Sequence, residues 1–160
     1  MALPVKPVPE GHHTVTPHLT VRDGMKLIEF YKQAFGAKEQ RRSVTPDGKS
    51  LLHAELSIGD SRIFLNDEFP EMGARSPLGT NGTPVQLHLY VEDVDSLYQS
   101  ALSAGAKVVM PLADQFWGDR YGVVEDPSGH RWALASHVRD MAPDQLKQAA
   151  AEIFGDKKEV

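Results

Sequence analysis

Two histidines, His18 and His88, stand at the same place in a short sequence that occurs twice in the chain. Each copy reads His-Leu-x-Val-x-Asp, ending at Asp23 in the first copy and at Asp93 in the second. A self-match at nearly constant spacing indicates a duplicated unit. An imidazole can transfer a proton near neutral pH, and a few imidazoles with an open position can hold a metal ion. Acid–base, metal-ligand and plain cleft-lining roles therefore all stay open for this pair.

A further strand-like stretch adds a histidine and a carboxylate to the candidates. Residues 52–58 alternate, with His53 and Glu55 on a polar face and Leu52 with the other apolar residues on the opposite face. The histidines of the repeat lie on the polar faces of their own strands in the same way. If these polar faces line a common cleft, the side chains can converge. The candidate catalytic residues are His18, His53, Glu55 and His88.

One loop in the second half holds the densest cluster of side chains that bind ligands. Trp117 and Tyr121 offer aromatic planes, and Arg120 offers a guanidinium for an anion. We expect this loop to contact a planar or anionic ligand. Two alternatives stay open. Trp117 packs beneath the domain while Arg120 pairs with Asp119 or Asp126, or the loop anchors a protein interface.

Hydrophobic periodicity organises these residues into two similar halves. An i, i+3, i+4 apolar pattern predicts a helix between Asp23, as its N-cap, and Gly36, as a left-handed stop. A similar helix is predicted after Asp93, and strands follow each helix. The pattern predicts an extended N-terminal arm over residues 1–13, a first βαβββ module over 14–69, a linker over 70–84, a second βαβββ module over 85–137 and a helical tail over 138–160.

Several polar and aromatic residues have expected environments. His12 and His13, in the proline-rich arm, are expected to be solvated. The carboxylates of Asp67 and Glu68, beside the flexible linker, are expected to form a solvated surface. Trp132 alternates onto the helix-facing side of its strand and is expected in the core.

The end of the chain is predicted to contain one more strand pair and a helix. Residues 108–110 are predicted as a short strand and residues 111–119 as a loop. The last helix begins near Pro143, since proline suits the first helical position. Its apolar stripe is expected to dock on the body of the chain or on a partner subunit, and consists of Leu146, Ala149, Ala150 and Ile153.

Composition limits the class of protein. The 160 residues suit one domain, or one domain made of two halves. The formal net charge of -5 argues against a nucleic-acid or anionic-membrane partner. The absence of cysteine excludes disulfides and thiolate metal sites. No apolar run is long enough to span a membrane or to serve as a signal peptide, so we expect a cytoplasmic protein.

Short motifs follow one another in a fixed order between residues 14 and 137. They are Phe30-Tyr31 with Phe35-Gly36-Ala37, His53-Ala54-Glu55-Leu56, Gln115-Phe116-Trp117-Gly118-Asp119-Arg120-Tyr121-Gly122 and Asp126-Pro127-Ser128-Gly129. This order resembles the vicinal oxygen chelate superfamily, the glyoxalase and bleomycin-resistance fold, and within it the PhnB-like subgroup. The resemblance implies an α+β fold in which two tandem βαβββ modules form a curved mixed sheet with a cleft, followed by a C-terminal helix. It also implies a homodimer.

Metal-dependent members of this superfamily bind one divalent ion with His, Gln or Glu from the first and last strands of each module. The resemblance places these positions at Thr16, Phe64, Gln86 and Ala133. Only Gln86 suits the role, because such an ion requires oxygen or imidazole ligands. We therefore expect no metal and no other cofactor at the family's position. A displaced metal site, built on His18 and His88 with His53 or Glu55, stays open.

Two functions are weighed from these residues and the resemblance. The first is a metal-independent protein that binds a small, partly aromatic or anionic molecule in its cleft. The second is a glyoxalase-like lyase or isomerase that uses a displaced metal or His and Glu acid–base catalysis, so the sequence does not decide whether the protein is an enzyme. A scaffold with filled clefts is disfavoured, because burying many polar groups is costly. The residues expected to contact the ligand are Gln86, His88, Tyr90, Phe64, Trp117, Arg120 and Tyr121.

Overall fold

The computed structural model describes residue 1 and residues 4–155, so residues 2, 3 and 156–160 of the predicted arm and tail lie outside the described residues. The chain divides into two compact units, Met1–Gly82 and Thr83–Val160. The elements of the first unit are β1 (His18–Val21), α1 (Gly24–Phe35), β2 (Lys38–Val44), β3 (Leu51–Ile58), β4 (Ser61–Asp67), one turn of 3-10 helix (Pro70–Met72) and the short helix α2 (Pro77–Thr80).

The second unit repeats this order of elements. They are β5 (Gln86–Tyr90), α3 (Val94–Ala104), β6 (Lys107–Asp114), β7 (Asp119–Glu125), β8 (Arg131–His137) and the additional helix α4 (Pro143–Phe154). Each unit forms one four-stranded mixed sheet, in the orders β1-β4-β3-β2 and β5-β8-β7-β6. The first-listed strand pair of each sheet is parallel and the other pairs are antiparallel. The α+β class and the duplicated βαβββ order predicted from the sequence are confirmed.

Helix α1 buries the apolar stripe that its sequence predicts. Leu27, Ile28 and Tyr31 are almost completely buried. The helix ends at Gly36, whose φ of 65° is left-handed and whose N–H donates to the Lys32 carbonyl at 3.1 Å. Glycine adopts that conformation without the steric cost that a Cβ would add. The predicted boundaries of α1 are therefore confirmed.

The start of α1 is stabilised by a different residue from the one predicted. Asp23 stands at the N-cap position but is left-handed and makes no side-chain capping bond. The carboxylate of Asp67 instead accepts hydrogen bonds from the backbone N–H of Gly24 at 2.6 Å and of Leu51 at 2.7 Å. Asp67 was expected to be solvated, and that expectation was wrong.

Glu68 is also a structural carboxylate and not a solvated one. It accepts hydrogen bonds from Arg22 Nε at 2.8 Å and from the backbone N–H and hydroxyl of Ser76 at 2.9 and 2.6 Å. The hydrogen bonds from Arg22 and then Ser76 lower the pKa of Glu68 to about 2. Arg22, directly after β1, is thereby paired with Glu68, directly after β4, and Ser76 of the following segment is bound to the same carboxylate.

The alternation predicted for β3 fails at its first residues. Leu51 is fully buried, whereas Leu52, predicted on the apolar face, is 44% exposed. The register explains this, because Ser43 pairs with His53 while its neighbour Val44 pairs with Leu51. The extra residue on β3 is a β-bulge, which turns the side chains before it to the other face.

Trp132 forms the centre of the second unit's core, as predicted. It is 1% exposed, and its indole Nε1 donates to Asp126 Oδ2 at 2.9 Å. Strand β6, in contrast, runs on to Asp114, where a loop from residue 111 was predicted. It is the last strand of its sheet, and its register shifts between Met110 and Ala113. An edge strand with such an irregularity tolerates Pro111, which has no N–H to donate.

Helix α4 begins at Pro143, as predicted, but its apolar stripe is not buried within the chain. None of its described residues is buried, and Leu146 and Ile153 are 37% and 59% exposed. One ring contact joins Phe154 of this helix to Phe116, with centroids 6.0 Å apart. Docking of the stripe on the body of the chain was thus a wrong expectation, and docking on a partner stays a prediction. No helix among residues 1 and 4–155 is long and apolar enough to cross a membrane.

Candidate functional site

Four aromatic side chains lie together on one face of the second unit's sheet. His88 and Tyr90 alternate onto this face of β5, Tyr121 comes from β7, and Trp117 comes from the turn before β7. The ring centroids are 4.4 Å apart for His88 and Tyr90, 5.7 Å for His88 and Tyr121, and 5.2 Å for Trp117 and Tyr121. We call these four residues the aromatic surface. It brings together four of the seven predicted ligand-contacting residues.

Small residues of the intervening strand β8 allow these rings to meet. Ala135 pairs with Tyr90 on one side and with Tyr121 on the other. Ala133 pairs with His88 of β5. Both alanines are almost completely buried. Because a methyl group projects so little, the larger rings of β5 and β7 can approach each other over β8.

The buried carboxylate of Asp119 holds two of the four rings. Asp119 is 3% exposed and accepts hydrogen bonds from the Tyr90 hydroxyl at 2.7 Å, from Trp117 Nε1 at 3.1 Å and from His137 Nδ1 at 2.8 Å. Burial alone would raise the pKa of Asp119, but the hydrogen bonds from His137, Tyr90 and Trp117 hold it below its ordinary value. The carboxylate is therefore ionised at neutral pH and fixes the directions of these side chains.

His137 joins this carboxylate to an open groove. Its Nε2 lies 2.7 Å from Asp140 Oδ1, and its side chain is 52% exposed. The hydrogen bonds with Asp140 and then Asp119 raise the pKa of His137. The groove has a volume of about 550 Å³ and is lined by Tyr90, Val91, Glu92, Ser136 and His137.

Asp119 and His137 are the functional candidates that the sequence interpretation missed. Asp119 was considered only as a partner of Arg120, and His137, at the end of its strand, was expected to reach either the cleft or the C-terminal segment without a stated role. The available signal was the alternation of β7, which places Asp119 and Tyr121 on one face. A buried aspartate next to an aromatic cluster needs donors, and those donors are the candidate residues themselves.

Arg120 lies on the other side of β7 from the aromatic surface. Its guanidinium pairs with Asp95 of α3 at 2.9 Å and with Asp114 at 3.2 Å. The predicted partners were Asp119 and Asp126, so that part of the interpretation needs correction. Since side chains alternate along a strand, Arg120 cannot share the face of Tyr121. The geometry does not support the predicted contact between Arg120 and a ligand.

The first unit gathers a separate set of predicted residues on its own sheet. His18 pairs in register with Phe64, and Phe64 pairs with Glu55 of β3. The ring centroids of His53 and Phe64 are 4.8 Å apart, and those of His18 and His53 are 5.8 Å apart. Burial, followed by the nearby charges of His18 and Arg41, lowers the pKa of His53. His53 is therefore largely neutral at pH 7.

Glu55 is the buried carboxylate of this second cluster. It is 3% exposed and pairs with Arg62, with Arg41 at 3.3 Å and with His12 Nε2 at 3.0 Å. His12 was expected to be solvated, and that expectation was wrong, because its side chain is only 13% exposed. No local pattern in the sequence links His12 to Glu55.

The model of one family matches residues 11–134, and its description is the glyoxalase/bleomycin resistance protein/dioxygenase superfamily. The chain belongs to this superfamily. An uncharacterized protein of Mycobacterium bovis, Mb0911c, is 48% identical over 98% of this chain and 99% of its own length. The resemblance stated from the sequence is thus confirmed at the level of the superfamily.

Solved structures of other proteins share the fold. A gene product of Arabidopsis thaliana is 28% identical, with a TM-score of 0.63, over 78% of this chain and 98% of that one. A PhnB protein of Bacillus cereus is 16% identical, with a TM-score of 0.60, over 78% of this chain and 99% of that one. The second likeness shows the fold alone.

The residues at the superfamily's metal positions do not fit a metal ion. Phe64 and Ala133 carry no donor atom, and Gln86 is an exposed residue paired in register with Arg131. Within residues 1 and 4–155, no three His, Asp or Glu side chains are arranged as a metal site.

Proposed function

We propose that this protein binds a small molecule with an aromatic ring on the aromatic surface of its second unit. The supporting observation is that four rings lie side by side there, with Tyr90 64% exposed beside the groove. Such rings offer apolar area with little conformational entropy to lose. The Asp119 carboxylate holds Tyr90 and Trp117 in place, so their orientation is set before a ligand arrives.

The charges around the groove favour a neutral or cationic ring over an anionic one. The exposed side chain of Glu92 lines the groove. His137, which also lines it, is hydrogen-bonded to Asp140 and to the buried Asp119. Arg120, the cation expected to attract an anion, is already paired with two aspartates. His137 is the positive group of the groove lining, and it lies between two carboxylates.

Benzylamine, benzyl alcohol and benzoate test the proposal, because they share a ring and differ in charge. We expect the Trp117 fluorescence to respond to the first two at lower concentration than to benzoate. A Trp117→Phe variant, which keeps Trp132, should lose the response. Tyr90→Phe keeps the ring and should retain binding, whereas Tyr90→Ala should weaken it about fivefold, since ring contacts are worth about 1 kcal/mol. Equal binding by Tyr90→Ala, or preference for benzoate, contradicts the proposal.

A second candidate function, an isomerase or lyase, is supported by the Asp119–His137 pair. A histidine oriented through Nδ1 by a buried carboxylate is a common acid–base arrangement. The raised pKa of His137 favours its protonated form, and in that form it would act as a general acid. It would donate its Nε2 proton to a carbonyl oxygen that takes the place of Asp140, while the Glu92 carboxylate of the groove lining accepts the proton of the adjacent C–H.

Hydrogen–deuterium exchange next to the carbonyl of small α-hydroxy ketones and aldehydes tests this candidate. We expect His137→Gln to reduce enzyme-catalysed exchange by about a hundredfold or more. The matched control is His13→Ala, which alters an exposed histidine of the other unit. Exchange no faster than in buffer excludes this reaction and leaves the binding proposal untouched.

The homodimer and the cytoplasmic location stay predictions. The exposed apolar residues Leu146, Ile153 and Phe154 of α4 support the dimer, because such a stripe gains stability when covered. Sedimentation at micromolar concentration should give twice the mass of 17.6 kDa. A single species at the chain mass contradicts the dimer.

A further inference from the structure

A short turn of the N-terminal arm is folded onto the sheet of the first unit. The backbone N–H of His12 donates to the Pro9 carbonyl at 3.1 Å, which closes the turn. Residues 4–11 are exposed, but the His12 side chain is only 13% exposed. It lies against Phe64, with ring centroids 5.9 Å apart. His12 therefore inserts its ring into the surface of the sheet, while residues 4–11 of the arm stay in solvent.

The position that His12 occupies is already formed by other residues. Glu55 supplies a buried oxygen 3.0 Å from His12 Nε2, and Phe64 supplies the face of a ring. Arg62 holds the same Glu55 oxygen from another direction. The approach of the arm is also close: a Cβ on Gly11, whose φ is 79°, would lie 2.9 Å from Arg62 Nη2. We call this position the His12 site.

The two nitrogens of His12 define what the site accepts. Nε2 contacts the Glu55 carboxylate, and Nδ1 lies 3.2 Å from the Glu10 carbonyl oxygen. Both partners accept hydrogen bonds, so the arrangement is complete when both ring nitrogens donate. The Glu10 carbonyl belongs to the arm and leaves with it. The Glu55 acceptor and the Phe64 ring remain.

We propose that the His12 site is a second ligand-binding site of the protein, specific for a planar nitrogen heterocycle with an N–H donor, and that His12 is its intramolecular occupant. The ligand donates its N–H to Glu55, lies against Phe64, and binds only when the arm has moved away. The ring of His53 lies 4.8 Å from that of Phe64, next to the site. Among the described residues of the arm, His12 contacts the sheet through Glu55 and the Phe64 ring, so its displacement requires the loss of these two contacts.

Competition between the arm and a ligand gives the test. Imidazole and 1,3-dimethylimidazolium, both studied at pH 6 where both are largely cationic, differ in their N–H donors. In the full-length chain we expect His12→Ala to bind imidazole at least tenfold more tightly than the wild type, because the competitor is gone. His13→Ala, which changes the exposed neighbour, should bind like the wild type. The dimethylated ion should bind poorly to every variant.

The wild type supplies a second readout that does not depend on the folding of a variant. Imidazole at saturation should move the His12 ring resonance towards that of His13, and the backbone signals of Glu55 and Phe64 should shift with it. The proposal is overturned if His12→Ala binds no better, if the dimethylated ion binds equally well, or if a bound probe leaves His12 in place. Tyr90→Ala should change none of these results, so the outcome is separate from that of the aromatic surface.

Discussion

Replacing Asp119 by asparagine should destabilise the second unit and release the aromatic surface from its present geometry. The carboxylate accepts three hydrogen bonds, two at Oδ2 from Tyr90 and Trp117 and one at Oδ1 from His137. An asparagine offers one oxygen and one NH2 group. Placing its oxygen towards Tyr90 and Trp117 directs the NH2 group at His137 Nδ1, which is also a donor while the imidazole is protonated.

The magnitude follows from these contacts. A hydrogen bond to a charged group contributes about 1.5–3 kcal/mol, and a neutral one contributes about 1 kcal/mol. The bond from His137 is lost, but this side chain is half exposed, so water replaces part of its value. The other two bonds become neutral ones. The loss in the free energy of unfolding should therefore be about 3 kcal/mol, a large share of the roughly 5–15 kcal/mol typical of a domain.

Urea denaturation followed by tryptophan fluorescence measures this loss. Both tryptophans of the chain, Trp117 and Trp132, lie in the second unit, so the signal reports the unfolding of that unit. Tyr90→Phe is the matched control, because it removes one donor, keeps the carboxylate and should cost only about 1 kcal/mol. The pKa of His137, followed by NMR, should fall towards its ordinary value in Asp119→Asn. A loss below about 1 kcal/mol, or an unchanged pKa of His137, refutes the reasoning.

Three further predictions concern backbone strain and pH. Gly118→Ala should cost more than about 2 kcal/mol in urea denaturation, because its Cβ would lie 2.0 Å from the Arg139 carbonyl oxygen at a φ of 102°. Gly82→Ala, with positive φ but open space, should cost less, and equal losses contradict the clash argument. The pKa of Glu68 is lowered to about 2, so its stabilisation is present above its ordinary value of 4.5 and is lost as pH falls towards 2. Glu68→Gln should remove that part of the acid sensitivity, and an unchanged acid transition contradicts the assignment. The pKa of His137 is raised, so its stabilisation is present below its ordinary value of 6.5 and is lost as pH rises through the raised value. His137→Gln should flatten the stability profile there, and a profile identical to the wild type rules this out.

Most helices and strands of the fold were predicted correctly from the local periodicity of apolar residues. The apolar stripe that ends at Gly36 and the alternation around His88 depend on neighbouring residues alone, and both predict the observed elements. Leu52 shows the limit of such reasoning. A bulge depends on how β3 pairs with β2, and one extra residue reverses the direction of every side chain on one side of it.

The partners of the buried carboxylates were not predicted from the sequence. The partners of Asp67 are backbone amides of Gly24 and Leu51, which become neighbours only after the sheet has formed. Glu55 likewise finds His12 only when the arm folds back. The type of a polar residue and its neighbours in sequence do not show whether a residue far along the chain will become its partner. Both Asp67 and His12 were therefore expected to be solvated, and both expectations were wrong.

The candidate site was predicted in part. The aromatic surface consists of His88, Tyr90, Trp117 and Tyr121, all of which were predicted from alternation and residue type. Arg120 was predicted with them because it lies next to Tyr121 in sequence. Neighbours on a strand point to opposite faces, and α3 supplies Asp95 on the far side. A strict use of alternation in β7 would have replaced Arg120 by Asp119.

Ala133 and Ala135 of β8 lie between the rings of β5 and β7, so their small side chains set the spacing of the rings in the aromatic surface. A larger side chain at Ala133 or Ala135 would push the flanking rings outwards and apart without altering any of them. Selectivity for a ring of a given width can therefore change through residues that no ligand touches. Relatives that keep all four rings but carry valine or leucine at either position should be expected to recognise different molecules.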